Sequence, residues 1–410
     1  MRRRERIVAG IDIGTTKVCA MIGEVNDDLV AITGIGIHPS RGVKKGRIID
    51  IEAIAESIRV AVEDAELMAD TEINSAYVSI GGGHIEGITS RGMVTLKTKE
   101  VTEGDVMRAI DYARAIHLPA DREIIHLLPM DFIIDGQSGI KEPIGMVGIK
   151  LEVDVHIVTG VTTSVNSIYK CCEKAGVEVE ELVVKPIASA EAVLMPEEKE
   201  IGVIVADIGG GTTGVAIYYD GSLKKIAEID VGGNYITRDI AIGLKTSVSC
   251  AEKLKKDFGH ADSSAVRSSE MIEVPDAGNK GFRQESRKKL AEIIEARVED
   301  IFGEIKKVID SCVPRPFGTE IVLTGGTALL PGIVDVASRF FDMPARVGMP
   351  KEAGGLAEMV NSPINSTCVG LILMGAKNKA FGGYSRKVKR SVYKNLKQKI
   401  MDFLRTIQIT

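Results

Sequence analysis

The chain has 410 residues, 44% of them hydrophobic, no tryptophan and a net charge of −5. That length suits two to four domains, and the acidic balance argues against a nucleic-acid-binding body, so no nucleic-acid partner is expected. The six cysteines (Cys19, Cys171, Cys172, Cys250, Cys312, Cys368) show no CxxC spacing and point to a reducing cytosol. The basic start, Met1-Arg2-Arg3-Arg4-Glu5-Arg6, runs into a strand broken by Gly10, Asp12 and Gly14, so no signal peptide is expected. The best apolar window, Val369 to Met374, is far too short to span a bilayer.

In chain order, a strand from Ile7 to Ile11 passes through a Gly/Thr turn and returns from Val18 to Ile22. After a link with Pro39, Gly42 and Gly46, a helix over Ile51 to Met68 is capped by Asp50 and puts Ile51, Ile54, Ile58 and Val62 on one face. Ala76 to Ile80 reads as a strand running into three glycines. From there to about Gly160 strands alternate around one helix, which opens on the capping box Thr102-Glu103-Gly104-Asp105. Leu151 to Ile157 alternates cleanly, predicting one wet face.

A helix (Ser164 to Ala175) and a strand (Leu182 to Val184) close the first half, and Pro196 to Glu200 reads as an exposed connection. The second half is interrupted from about Thr246 to Pro316 by a charged segment with a long helix from about Gln284 to Ile309. It resumes at Ile321, and its last globular element is expected to end near Met374. The resulting division is a first core domain at 1–81 and 161–199 with an inserted α+β subdomain at 82–160. A second core domain covers 200–245 and 317–381 with an insertion at 246–316, followed by a linker at 382–390 and a terminal helix at 391–410.

The chain says one thing twice. Ile11-Asp12-Ile13-Gly14-Thr15-Thr16-Lys17-Val18 returns as Ala206-Asp207-Ile208-Gly209-Gly210-Gly211-Thr212-Thr213-Gly214-Val215. Each copy is strand, tight turn, strand, with an Asp leading into the turn. A third turn, Thr324-Gly325-Gly326-Thr327, follows another apolar strand. Backbone N–H groups in such turns cradle anions, and glycine lets the backbone approach closely. Asp12 and Asp207 offer hard oxygens to Mg²⁺, through water because Mg²⁺ dehydrates reluctantly. The pattern predicts a nucleotide held between two related halves.

With these motifs the chain resembles the actin-like ATPases, and among them the bacterial cell-division members. Ser40-Arg41-Gly42, Ala65-Glu66-Leu67-Met68-Ala69-Asp70, Asp207 to Thr212 and Ile321-Val322-Leu323-Thr324-Gly325-Gly326 carry the likeness across essentially the whole chain. The resemblance implies a duplicated α/β, ribonuclease H-like fold: two lobes around a cleft for ATP and Mg²⁺, two inserted subdomains and a C-terminal amphipathic helix. It makes Asp12, Gly14, Thr15, Thr16 and Lys17 the first phosphate loop, and Asp207, Gly209, Gly210, Gly211, Thr212 and Thr213 the second. Gly233 and Asn234 approach phosphates or ribose, Glu252 and Lys255 contact ribose and adenine, and Gly325, Gly326 and Thr327 close over the adenosine. The plainer reading of Glu252 and Lys255 is an exposed charged helix.

One position departs from the family pattern. In chaperone-type relatives an acid that helps position the attacking water precedes the Pro-x-Ala-Ser stretch, whereas here Lys185 precedes Pro186. A cation cannot act as that general base, so slow hydrolysis is expected, with ATP acting as a conformational clamp.

The C-terminal stretch is a second signal. Val392, Leu396, Ile400, Phe403, Leu404 and Ile407 fall within an arc of about 120° at about 100° per residue. Lys394, Lys397, Arg405 and their neighbours make the rest of that helix basic. It reads as an anchor on an anionic lipid surface, with docking on the protein's own core or in a partner's groove as alternatives. The resemblance implies the same anchor, and so a peripheral place on the inner face of the cell membrane at the division site. It further implies docking of the C-terminal tail of the tubulin-like protein FtsZ on the second insertion, at Lys289 and Arg297. Self-association into filaments and contact with later division proteins would fall to the first insertion. Rival classes on the same fold are sugar kinases, chaperone-type ATPases and pilus-assembly proteins.

Overall fold

The computed structural model describes residues 7–26, 29–276, 281–312, 320–351 and 353–380. The terminal helix expected at 391–410 lies outside them, as do its residues Val392, Lys394, Leu396, Lys397, Ile400, Phe403, Leu404, Arg405 and Ile407.

The first lobe opens on three antiparallel strands, β1 (Ile7–Ile13), β2 (Lys17–Asn26) and β3 (Leu29–Pro39). β1 is buried from Val8 onward, as suits a strand paired on both sides, with β2 and with a later strand. The short hairpin β4 (Val43–Lys44) and β5 (Arg47–Ile48) leads to α1 (Ile51–Ala69), where the Asp50 carboxylate accepts the Ala53 N–H at 3.1 Å. α1 lies directly on the β3 backbone. A Cβ at Gly34 would come 2.2 Å from the Ala65 carbonyl, and one at Gly36 would come 1.9 Å from that of Ala61. β6 (Ser75–Ile80) then pairs in parallel with β1.

The first insertion contains β7 (Glu86–Thr95), α2 (Glu103–Arg114), β8 (Arg122–Ile134), β9 (Gln137–Ile140) and β10 (Lys150–Val161). The capping box forms at the start of α2: Thr102 Oγ1 accepts the Asp105 N–H at 3.3 Å and the Asp105 carboxylate accepts the Thr102 N–H at 3.0 Å. The wet face expected along β10 ends at Asp154. His156 is buried, because its ring lies against Gly87 with Ile226 close by.

The first lobe closes with α3 (Thr162–Lys174), β11 (Glu178–Val184), α4 (Lys185–Val193) and α5 (Pro196–Ile201). The connection expected at Pro196 is thus a short helix, and its Glu198 and Lys199 are held by Arg346 and Glu191.

The second lobe repeats the plan with β12 (Val203–Ile208), β13 (Thr213–Tyr219), β14 (Ser222–Ile229) and α6 (Gly233–Gly243). Its insertion holds α7 (Val248–Phe258), β15 (Met271–Pro275), β16 (Phe282–Ser286) and α8 (Arg287–Asp310). The long helix therefore starts three residues later than its apolar pattern suggests, because Gln284 is spent in β16 opposite Glu273. Then follow β17 (Glu320–Thr324), α9 (Ile333–Phe341), β18 (Ala345–Val347), β19 (Ala353–Gly355), α10 (Ala357–Val360) and α11 (Ser366–Ala380). α11 continues past the expected end at Met374, tied down by the Lys377–Glu191 ion pair and by the Asn378 amide donating to Glu181 at 3.3 Å.

The duplication reaches well beyond the two motifs. Strands run in the order β11-β6-β1-β2-β3 in one lobe and β18-β17-β12-β13-β14 in the other. In both, the outer pairings are parallel and the hairpins antiparallel. The insertion that interrupts the first lobe joins the second lobe's sheet, since β7 pairs with β14 at Glu86 and Ala227. In the second lobe α8 meets α9 through Phe302, Phe340 and Phe341, whose ring centroids are 5.1 to 5.8 Å apart. The contact of α1 with β3 leaves no room for a methyl group at residue 36. Gly36→Ala sets a methyl against a helix carbonyl that cannot rotate away, so unfolding in denaturant should show a loss of about 1–3 kcal/mol.

Candidate functional site

The β1–β2 and β12–β13 turns close in the same way: Gly14 N–H donates to the Lys17 carbonyl at 2.9 Å and Gly209 N–H to that of Thr212 at 3.0 Å. They face each other across a cleft of about 970 Å³ between the lobes. The contact is close. A Cβ on Gly210 would come 2.2 Å from Thr16 Oγ1, and one on Gly211 would come 2.5 Å from Thr15 Oγ1. Side chains at 210 and 211 would push the two turns apart.

Behind the second turn, Gly233 and Asn234 donate backbone N–H bonds to the Gly209 and Gly210 carbonyls at 2.9 and 2.8 Å. Thr327 Oγ1 donates to Gly209 at 3.3 Å. Gly325 has φ +82°, and a Cβ there would meet Asp207 Oδ1 at 2.4 Å, so geometry and space both require glycine. The cleft lining includes every expected nucleotide residue from Asp12 to Thr327 except one. Thr213 is the correction: it is fully buried, and its hydroxyl donates to the Val231 carbonyl at 2.8 Å instead of facing the cleft. As the first residue of β13, its side chain direction follows the pleat and not the turn.

The two aspartates differ in their surroundings. Asp12 Oδ1 accepts from Lys185 Nζ at 2.8 Å and from Ser79 Oγ at 2.7 Å. Burial would push its carboxyl up, but the Lys185 charge and these bonds hold it below the usual range. Lys185 Nζ also donates to the Ile13 carbonyl at 2.8 Å; burial works against its charge, and Asp12 more than restores it. Asp207 Oδ2 accepts from Ser189 Oγ at 2.6 Å and Thr367 Oγ1 at 3.1 Å. There burial wins, and the pKa is raised.

Among the described residues no three His, Cys, Asp or Glu side chains converge on one point. Two facing carboxylates alone suit Mg²⁺, which keeps most of its waters and completes its shell with phosphate oxygens. At the first turn, Lys17 Nζ donates to Asn365 Oδ1 at 2.9 Å.

At the far end of the cleft Glu252 and Lys255 form a closed set with Thr237. Lys255 Nζ lies 2.7 Å from Glu252 Oε2 and 2.9 Å from Thr237 Oγ1. They line the cleft and are not a solvated face. Burial and the Lys255 pair pull the Glu252 carboxyl in opposite directions, and the pair prevails, lowering it. Leu329, Leu330, Pro331 and Ile364 add an apolar wall beside them.

Residues missed by sequence reading are Ser79, Lys185, Ser189, Glu228, Thr237 and Thr367. Lys185 was visible only as an absent acid, and its part as counter-ion of Asp12 depends on a partner 173 residues away. Outside the cleft, Lys289 is surface-exposed with a Glu285 contact at 3.1 Å. The Arg297 guanidinium pairs with Asp239 of α6 and lies over the Tyr235 ring at 5.9 Å.

Lys185→Met should expose the dependence of this site on its internal ion pair. Removing one partner of a buried pair costs about 3–5 kcal/mol, read by denaturant unfolding near neutral pH. In the unsubstituted protein Asp12 has a lowered pKa, so its contribution is present above about pH 4 and is lost as pH falls through the folded-state value. In the variant burial is opposed by the remaining Ser79 bond and Lys17 charge, so that pKa should rise and the stability that Asp12 contributes above about pH 4 should shrink.

Against known proteins, residues 204–370 match the family model described as cell division protein FtsA, and residues 82–159 match that of the SHS2 domain inserted in FtsA. The chain is 44% identical to cell division protein FtsA of Neisseria meningitidis serogroup B over 92% of each chain. It is 36% identical to that of Escherichia coli K12 over 91% of each chain. Among solved structures it is similar in fold to MreB5 of Spiroplasma citri bound to ADP, with a TM-score of 0.56, 16% identity, and 97% and 98% of the two chains covered. The PilM–PilN type IV pilus biogenesis complex gives a TM-score of 0.66 at 16% identity, covering 90% of this chain and 98% of the other. The MamK double helical filament gives 0.51 at 14% identity, with coverage of 90% and 98%. With its sheet duplicated around the cleft and its relatives matching nearly end to end, this chain has the actin-like fold and belongs to the FtsA family of cell-division proteins.

Proposed function

We propose that the chain binds ATP with Mg²⁺ in the cleft and tethers the FtsZ ring to the inner face of the cytoplasmic membrane. On this reading it also self-associates into filaments and helps recruit later division proteins. The observation that carries the nucleotide part is the pair of facing turns, each led by an aspartate, with further cleft residues supplied by both lobes. Thr15 and Thr16 of the first turn and Gly210 to Thr212 of the second offer backbone N–H groups and hydroxyls to the phosphates, while the Gly14 and Gly209 N–H groups close the turns. Asp12 and Asp207 hold the water shell of Mg²⁺, which when bound offsets phosphate charge. Glu252, Lys255 and the Gly325 to Thr327 turn flank the nucleoside. Because these groups come from two lobes, their shared ligand favours the closed arrangement and works as a clamp.

The tether part rests on the basic amphipathic pattern of Val392 to Ile407, with each cation near an anionic leaflet contributing about 1 kcal/mol. Among the described residues no helix is long and apolar enough to cross a membrane. For the FtsZ tail, Lys289 is the better placed of the two expected cations, since its side chain is more exposed than that of Arg297. The MamK filament, a structure of the same fold, is in keeping with self-association.

Asp12→Ala and Asp207→Ala should each weaken Mg·ATP binding by at least about tenfold, measured with a fluorescent ATP analogue. Wild-type affinity in both variants would defeat the nucleotide assignment. The full chain should pellet with anionic liposomes and a chain ending at Gly383 should not; equal pelleting would end the membrane assignment.

A further inference from the structure

Glu228 is a cleft carboxyl for which nucleotide binding gives no task. It stands on β14 directly across the ladder from Gly214 of β13. Cross-strand partners share a face of the sheet, so a side chain at 214 would compete with Glu228 for the same space. A Cβ there would come 3.2 Å from Glu228 Oε1. Glycine leaves that space to the Pro186 ring and the Glu228 carboxyl, and Glu228 is among the residues that line the cleft.

The two carboxyl oxygens have different fates. Oε2 accepts the Gly82 N–H at 3.2 Å. Oε1 is buried and meets no donor among the described residues. A buried acceptor without a donor is costly unless a water or ligand group supplies one. Lys185 lies close by: a Cβ on Gly81 would be 2.9 Å from both Glu228 Oε1 and Lys185 Cδ. The ammonium itself is turned away toward Asp12 and the Ile13 carbonyl.

We propose that Glu228 performs the step that Lys185 cannot, with its Oε1 accepting the proton of the water that attacks the γ-phosphate. The inference rests on the nucleotide reading of the cleft. In the step, the water oxygen bonds to the γ-phosphorus and the bond from that phosphorus to the β–γ bridging oxygen breaks. Its electron pair leaves with ADP, and the water proton passes to Glu228. Water and ATP are the only reactants.

The charged groups facing the carboxyl are Lys185 from α4, Asp207 from β12 and Asp230 just beyond β14. Burial, with only partial relief from Lys185, pushes Glu228 up to about 8. Near neutral pH most molecules hold it protonated and unable to accept a proton. Turnover is then slow for a physical reason, and it rises as the carboxyl ionises.

Glu228→Gln keeps the shape and the acceptor for Gly82 while removing the base. The full-length protein and this variant are compared in ATP affinity, single-turnover Mg·ATP hydrolysis at pH 7 and 9, and affinity for ADP with aluminium fluoride. Expected are ATP affinity within about twofold, hydrolysis at pH 9 down by about a hundredfold, no rise in rate between the two pH values, and weaker binding of the aluminium fluoride complex. Wild-type hydrolysis with wild-type binding of that complex would overturn the inference, as would a loss of ATP affinity that accounts for the whole loss of rate. So would a wild-type protein that binds ATP but shows no turnover at pH 9. Absence of ATP binding in the wild-type protein itself would instead remove the nucleotide reading, and this inference with it.

Discussion

α4 and α11 cross beneath the cleft at a contact that admits no side chain: a Cβ on Gly370 would come 1.8 Å from the Ala188 carbonyl. That crossing sets the positions on which the site depends. α4 begins with Lys185, which reaches Asp12 of the first lobe, and one turn later presents Ser189 to Asp207 of the second. α11 begins beside them, with Thr367 on Asp207 and Ser366 sharing a 2.7 Å hydrogen bond with Thr324. Both aspartates are therefore held by α4, and Asp207 by α11 as well. A shift of one helix against the other would disturb both turns together.

The aspartates are chemically alike and electrostatically unlike. Asp12 has a full positive charge bonded to it, whereas Asp207 has two hydroxyls, so the cost of burial prevails only at Asp207. One lysine thus divides the cleft into a charge-compensated half and a half whose carboxyl is costly to ionise. Among the described residues no ammonium lies at contact distance from Asp207, and Lys185 acts on it only through space.

The lobes also meet away from the turns. Glu228 and Asp230 accept the Gly82 and Gly83 N–H groups, at the point where the chain leaves the first lobe for its insertion. Immediately beyond, β7 joins β14, so the insertion shares a sheet with the lobe it does not interrupt. Tyr235 of α6 sits among three cations, with Lys45 from the first lobe at 5.4 Å, and Arg238 and Arg297 both at 5.9 Å. Packing at the cleft is thereby continuous with both insertions.

Local periodicity and capping were legible in the residues themselves. Asp50 caps α1, Thr102 and Asp105 close the box at α2, and the repeated Asp-led turns mark both lobes, because each signal spans only a few neighbours. Resemblance supplied the cleft residues beyond the turns, and the structure brings all but Thr213 to that cleft. The burial of His156, the extension of α11 to Ala380 and the commitment of Arg297 to Asp239 were not legible. Neither was the approach of Glu228 over Gly214, a contact that exists only once β13 and β14 are in register. Sequence by itself determined which segments become strands, turns and helices and where the phosphate-type turns fall. The tertiary structure alone decided which charges are paired, since partners such as Asp12 and Lys185 meet only when distant strands and helices converge and exclude water from between them.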